Sequence, residues 1–307
     1  MKNHFRSIVI GLLCLVFLGL GFLGYKSLNS VKLKNNNTIE VVAAENFWGS
    51  LVSQIGGNQV HVLSIVSDPN ADPHEYESNN SDARAIARAN YVILNGAGYD
   101  SWGNKMVDAN PSNSRVVLNV ANLLNMKEGD NPHFWYSPNY VNQTVQQMEL
   151  DLAKISPSQA NYFQHNLKIL ELSLSQYQNR IKAISNKYGG TKVAATEDIF
   201  QYLAQAANLN LVSPPSFIQA VAEGNDPPAG SIIQFQNQLT SRQVKILVYN
   251  EQTVTPLTNN IKNLANKQNI PIVGVTETIQ PPTTPFQDWM NTQVINIQNA
   301  LISSGNN

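Results

Sequence analysis

One apolar stripe in the middle of the chain constrains its fold more than any other feature. Phe163, Leu167, Leu170, Leu174, Tyr177, Ile181 and Ile184 recur at alternating steps of four and three, the spacing that lines one face of an α-helix. Before the stripe, Ser156-Pro157-Ser158-Gln159 offers capping-box residues with a proline at the first helical position, and Gly189-Gly190 closes it. At 1.5 Å per residue the helix would run roughly 45 Å, longer than one small lobe needs. A strut between two lobes is expected. A coiled-coil dimer would call for a longer stripe with systematic flanking charge pairs, so a monomer is expected.

Both flanks of the strut alternate strand and helix. Before it, strands are expected at 39–44, 60–66, 91–94 and 114–119, with helices at 47–55, 83–89 and 138–155. After it come strands at 192–195, 209–212, 244–249 and 272–275 and helices at 200–207, 232–239, 257–267 and 285–301, with a Pro/Gly-rich loop running through Gly230. That rhythm implies mostly parallel sheets covered by helices. The 307 residues suffice for two such domains at about 150 residues each. The expected fold class is therefore α/β, two lobes with mostly parallel sheets joined by one long rigid helix. The expected boundaries are 1–37 for a signal or membrane anchor and spacer, 38–155 for the N-terminal lobe, 156–189 for the linking helix and 190–307 for the C-terminal lobe. Ligand sites in such sheets collect at the carboxyl ends of strands, so a cleft between the lobes would hold the site.

At the N-terminus Lys2, His4 and Arg6 precede an almost unbroken apolar run over residues 8–23, ending near Lys26. This is an export signal that leaves the start of the chain inside the cell. Phe22 stands two residues before Gly24 and Leu28 two before Ser30, so no good small-x-small cleavage site follows. An uncleaved membrane anchor is expected over cleavage, with the rest at the outer face of the cell membrane or in the extracytoplasmic space. Cys14 is the only cysteine, which excludes an internal disulfide and a thiolate metal cluster. Leu12 and Leu13 before it count against lipidation. Lys+Arg 20 against Asp+Glu 21 gives a net charge of -1, which provides no footprint for nucleic acid.

Two histidines follow a proline in nearly matching phrases, Asp72-Pro73-His74-Glu75-Tyr76-Glu77 and Asn131-Pro132-His133-Phe134-Trp135-Tyr136. Proline fixes its own φ and keeps the preceding residue extended, so each imidazole sits at a stiff loop position. Imidazole is the commonest metal ligand, and two of them held this way point to a site assembled from separate segments. The second lobe contains no histidine, so its candidates are carboxylates at strand ends: Glu197 with Asp198 beside it, Glu251, and Glu277. Taken singly, such a glutamate is more often an exposed loop residue or a helix cap. Two imidazoles and two carboxylates would balance the charge of a divalent cation buried between lobes. His61 in a strand, His165 off the helix stripe and His4 in the signal need no function. Asn95-Gly96-Ala97-Gly98 is expected to be a turn after a strand, since no helix opens on it in the form a nucleotide loop requires.

The phrases around His74 and His133, together with Asn95-Gly96-Ala97-Gly98-Tyr99-Asp100-Ser101-Trp102 and Glu197-Asp198-Ile199-Phe200-Gln201-Tyr202-Leu203-Ala204, occur in the same order as motifs of a known family. The chain resembles the zinc/manganese substrate-binding proteins of ABC importers, the cluster A-I or TroA-like group, over residues 38–301. The resemblance implies two α/β lobes joined by a rigid helix, with one divalent metal ion, Mn²⁺ or Zn²⁺, held between them as cargo and delivered to a permease. It implies ligands at His74, His133, Glu197 and Glu277, which makes Glu251 the weaker choice. Asn131 and Ser137 stand where aspartates are common in the family, so the groups orienting His133 are expected to differ. Residues 122–130 lack the His-rich acidic loop of many zinc members. With Glu197 in place of a histidine, this tilts the cargo toward manganese, which suits oxygen ligands and bidentate carboxylates. No catalysis is implied. The rivals are a surface adhesin of the same fold and a zinc hydrolase, which would need an open coordination position and a general base, and no H-E-x-x-H helix is present.

Overall fold

The structure, a computed structural model, describes residues 38–68 and 73–305. The export signal, the anchor and Cys14 lie outside the described residues. Strand β1 (Ile39–Glu45) leads into α1 (Asn46–Gly56) and β2 (Val60–Val66). A 3₁₀ turn over Pro73–Glu75, α2 (Asn80–Arg88), β3 (Tyr91–Leu94) and α3 (Ser101–Ala109) follow. Then come β4 (Val116–Asn119), the single turn α4 (Val120–Leu123), and α5 (Pro138–Ile155), which Ser137 caps through its side chain. The four strands pair in parallel in the order β2-β1-β3-β4. Central β3 is buried throughout and β1 nearly so, whereas edge strand β2 alternates, as expected when helices cover both faces of a parallel sheet.

The strut is α6 (Ala160–Tyr188), 29 residues long, or about 43 Å. All seven residues of the predicted stripe are buried. Its start differs from expectation. Ser156 makes no side-chain capping bond, and a 3₁₀ turn over Pro157–Gln159 feeds the helix instead, because that tighter winding pairs the Gln159 N–H with the Ser156 carbonyl.

Beyond the strut the architecture repeats. The elements are β5 (Lys192–Ala195), a 3₁₀ turn Asp198–Phe200 running into α7 (Gln201–Ala206), β6 (Asn210–Leu211), α8 (Pro215–Ala222) and α9 (Ala229–Thr240). They continue with β7 (Leu247–Asn250), α10 (Pro256–Lys267), β8 (Ile272–Val275) and α11 (Phe286–Ser304). Strand order is β6-β5-β7-β8, again all parallel, the same topology as the first sheet. Helix α8 lies where an irregular loop is expected from sequence. One continuous hydrophobic cluster joins β1 and α1 to α6, β5 and α11, so the strut serves both lobes as core. Side chains also stitch them together: the Asn46 amide donates to the Ile279 carbonyl (3.2 Å) and accepts from its N–H (3.0 Å). Among the described residues no helix is long and apolar enough to cross a membrane.

Candidate metal centre

In each sheet the chain leaves the first strand to one side and then crosses to the other, so the strand order reverses next to β1 and next to β5. Crevices form at the carboxyl ends of strands at such points. The loops that follow these ends carry the candidate residues, from β2 (His74), β4 and α4 (His133), β5 (Glu197) and β8 (Glu277).

Three of these side chains converge. One ligand atom from each of His74, His133 and Glu277 lies within 4.8 Å of the other two. Glu277 Oε2 is 3.4 Å from His74 Nε2 and 3.9 Å from His133 Nε2. Four ligand atoms about 2.0 Å from a tetrahedral ion stand roughly 3.3 Å apart, so this spacing fits one metal ion. His133, Glu197 and Glu277 are fully buried. Glu197 stands outside that tightest group but is joined to it through Asn250, whose amide nitrogen hydrogen-bonds Glu197 Oε1 and, at 2.7 Å, Glu277 Oε1. Glu251, the other strand-end carboxylate, is exposed and takes no part.

The supporting groups fix how His133 presents itself. Asn131 donates through Nδ2 to the Asp198 carbonyl (2.8 Å) and to Gln201 Oε1 (3.2 Å), which settles the direction of its amide. Its Oδ1 then accepts from the His133 backbone N–H (2.9 Å) and faces His133 Nδ1 at 2.8 Å. Asp198 Oδ1 lies 3.1 Å from the same Nδ1. The proton therefore belongs on Nδ1, and Nε2, which is buried without a hydrogen bond, turns its lone pair into the site. Asn131 thus orients His133 where family members commonly carry an aspartate, as the departure at this position led one to expect, with Asp198 beside it from the other lobe. Asp198, weighed as an alternative ligand, belongs to this supporting shell.

Tyr99 was not singled out from sequence. Its hydroxyl donates to Glu277 Oε2 at 2.6 Å, and its ring meets His74 edge-on with centroids 4.7 Å apart. The loop that delivers it is the predicted turn after β3. Asp100 accepts the N–H groups of Asn95 (2.6 Å) and Gly96 (2.8 Å), and Gly96 has φ +80 with no room for a Cβ beside Asn119. Asn95 ties Trp48 to the His133 loop, accepting from the indole N–H and donating to the Pro132 carbonyl. Under the second lobe, the Tyr136 hydroxyl lies 2.7 Å from the Thr276 carbonyl. Burial above all, with the charges of Glu277 and Glu197, pushes that phenol well above its usual value, so it stays a neutral donor. His61 is exposed on the edge strand and paired with Glu40 at 2.8 Å, and His165 is exposed; neither approaches the site.

A cavity of about 530 Å³ opens between the lobes beside His74, Tyr99 and Asp198, and Glu128, Asp130 and Glu223 also line it. Negative walls of this kind concentrate cations at the mouth.

Known proteins share this architecture. The family model described as "Zinc-uptake complex component A periplasmic" matches residues 41–300. A metal ABC transporter substrate-binding lipoprotein, ScbA of Streptococcus cristatus, is 24% identical over 84% of this chain and 86% of its own length. The manganese-binding lipoprotein MntA of Halalkalibacterium halodurans is 24% identical over 69% of this chain and 70% of its own. Among solved structures, the binding protein FpvC of Pseudomonas aeruginosa in complex with Mn²⁺ superposes with a TM-score of 0.72 at 19% identity, covering 87% of this chain and 99% of that one. With a match across most of its length, the chain belongs to this zinc-uptake family of metal substrate-binding proteins.

Proposed function

We propose that the chain captures one divalent transition metal ion, Mn²⁺ or Zn²⁺, through His74, His133, Glu197 and Glu277, and passes it to the permease of an ABC importer. The single observation that carries this ligand set is the approach of His74, His133 and Glu277 within 4.8 Å at the carboxyl ends of strands from both lobes, with Glu197 coupled to Glu277 through Asn250. The charges of two carboxylates offset those of a divalent ion, which lowers the cost of burying it. Membership of a binding-protein family, and relatives named for metal transport, favour this function over the adhesin and the hydrolase; the protein is not an enzyme. It acts outside the cytoplasm. A monomer held at the membrane by residues 1–37, with lobes at 38–155 and 190–307 on either side of a helix spanning 156–189, is the organisation that accords with it.

The test is a competition titration of the metal-stripped chain with Mn²⁺ and Zn²⁺ beside His74→Ala and Glu277→Ala. One site per chain is expected, weakened about 100-fold or more by either substitution, since a lost ligand costs more than a lost supporting group. Parent-like binding by both variants would rule the ligand set out.

A further inference from the structure

Asn250 is the last residue of β7, is 1% exposed, and was not among the residues expected to form the site. Its Oδ1 accepts the backbone N–H of Gln252 at 3.0 Å, which fixes the amide and aims Nδ2 at the carboxylates. Nδ2 lies within hydrogen-bonding reach of Glu197 Oε1, of Glu277 Oε1 at 2.7 Å and of Thr253 Oγ1 at 3.0 Å. An amide nitrogen carries two hydrogens, so one bond to each carboxylate uses both. Gln252 holds the Glu277 segment from the same loop, its Oε1 accepting the N–H groups of Glu277 (2.8 Å) and Thr278 (2.9 Å).

The consequence lies in which oxygens face which way. On Glu277 the oxygen turned to the two imidazoles is Oε2, which accepts the Tyr99 hydroxyl on one lone pair and keeps the other for an ion, and the oxygen turned to Asn250 is Oε1. On Glu197 the oxygen turned to Asn250 is likewise Oε1. We infer that Asn250 is a specificity-determining positioning residue that engages one oxygen of each ligand carboxylate, so that each gives a divalent ion a single oxygen and the site offers four ligand atoms rather than six. Two imidazole nitrogens and two single oxygens make the tetrahedral set that Zn²⁺ adopts, whereas Mn²⁺ is served by more oxygens and by bidentate carboxylates. Glutamate at the third position tilts a site furthest toward manganese when it binds through both oxygens, and this amide opposes that. The inference rests on the proposed ligand set and adds to it a cause for the order of metals.

Two measurements test it on the full-length chain. The first needs no variant: X-ray absorption of the Zn²⁺-loaded and Mn²⁺-loaded protein should show both carboxylates bound through one oxygen, without the short metal-to-carboxyl-carbon distance of a bidentate group. That short distance in the Zn²⁺ form would overturn the inference. In the second, Asn250→Ala and Asn250→Ser are titrated with both metals in competition. The preference for Zn²⁺ over Mn²⁺ should narrow by about tenfold or more, through retained or improved Mn²⁺ binding, the size expected when a group orienting a ligand is removed. An unchanged ratio in the folded variants would refute the role of Asn250 while leaving the ligand set standing, provided His74→Ala weakens binding about 100-fold or more. Absence of stoichiometric binding by the parent would overturn the ligand set, and the inference with it.

Discussion

At the scale of single residues, Glu45 pairs with Asp100 beneath the site. Both carboxyls are fully buried. Burial first, and the neighbouring Asp100 charge second, hold the Glu45 carboxyl well above its ordinary 4.5. Burial raises Asp100 too, but the Gly96 and Asn95 N–H groups that its two oxygens accept oppose the rise, which favours Glu45 as the protonated partner. A raised carboxyl keeps a proton that the unfolded chain releases. Its contribution is complete at low pH and is lost as pH climbs from the unfolded value through the folded one, by roughly 1.4 kcal/mol per pH unit for one proton. Glu45→Gln, which supplies an amide donor to Asp100 at every pH, should flatten that decline. Thermal unfolding of parent and variant between about pH 5 and pH 8 measures it, and parallel curves would rule out a proton on Glu45. At this same scale the sequence is legible only in part. His74, His133 and Glu277 stand out because prolines or strand ends mark them. Asn250 and Tyr99 do not, since a neutral amide and a phenol carry no pattern of their own and meet their carboxylates across 53, 27 and 178 residues of chain.

Among the elements, α6 is the one most fully written in the sequence. Its seven stripe residues are all buried, while Leu172, between two of them, is 72% exposed. Leu174→Ala should cost about 2–5 kcal/mol through lost burial and the cavity left behind, whereas Leu172→Ala should stay within about 0.5 kcal/mol. Denaturant midpoints of the two variants test the contrast, and equal losses would mean that the helix is not the shared core. Strands β2, β3, β5 and β8 coincide with their predicted spans because central and edge strands of a parallel sheet read as short apolar runs between turns. Helix α8 escapes notice for the opposite reason. Pro214 before it, Pro215 at its first position and Gly224, Pro227 and Pro228 after it look like loop, while Phe217, Ile218, Val221 and Ala222 mark the buried face. Proline at a helix start is a beginning rather than a break.

For the molecule as a whole, the two sheets share one strand order, and a common cluster runs through both lobes and the strut. Residues from Ile39 onward accordingly form one compact unit. A single cooperative thermal transition is expected. An ion held by the proposed ligand set would bind the folded chain alone, so free metal at 1,000 times Kd should raise stability by about 4.1 kcal/mol. His74→Ala should cut that gain to about 1.4 kcal/mol or less at the same metal concentration. Calorimetry with and without a chelator reads both, and two separate transitions, only one of them responding to metal, would show that the ligands do not span the lobes.

The seam through Asn131 adds a consequence for timing. Its amide reaches the Asp198 carbonyl, and the Tyr202 hydroxyl returns a bond to its own carbonyl at 2.8 Å. These threads between the His133 loop and the start of α7 are tied as the chain folds, so an arriving ion has little left to organise. If the proposed ligands set the strength of grip, residence time is expected to follow how readily this seam parts. A pull on Tyr202 would reach His133 only through Asn131, whose Oδ1 meets both the backbone N–H and Nδ1 of that histidine.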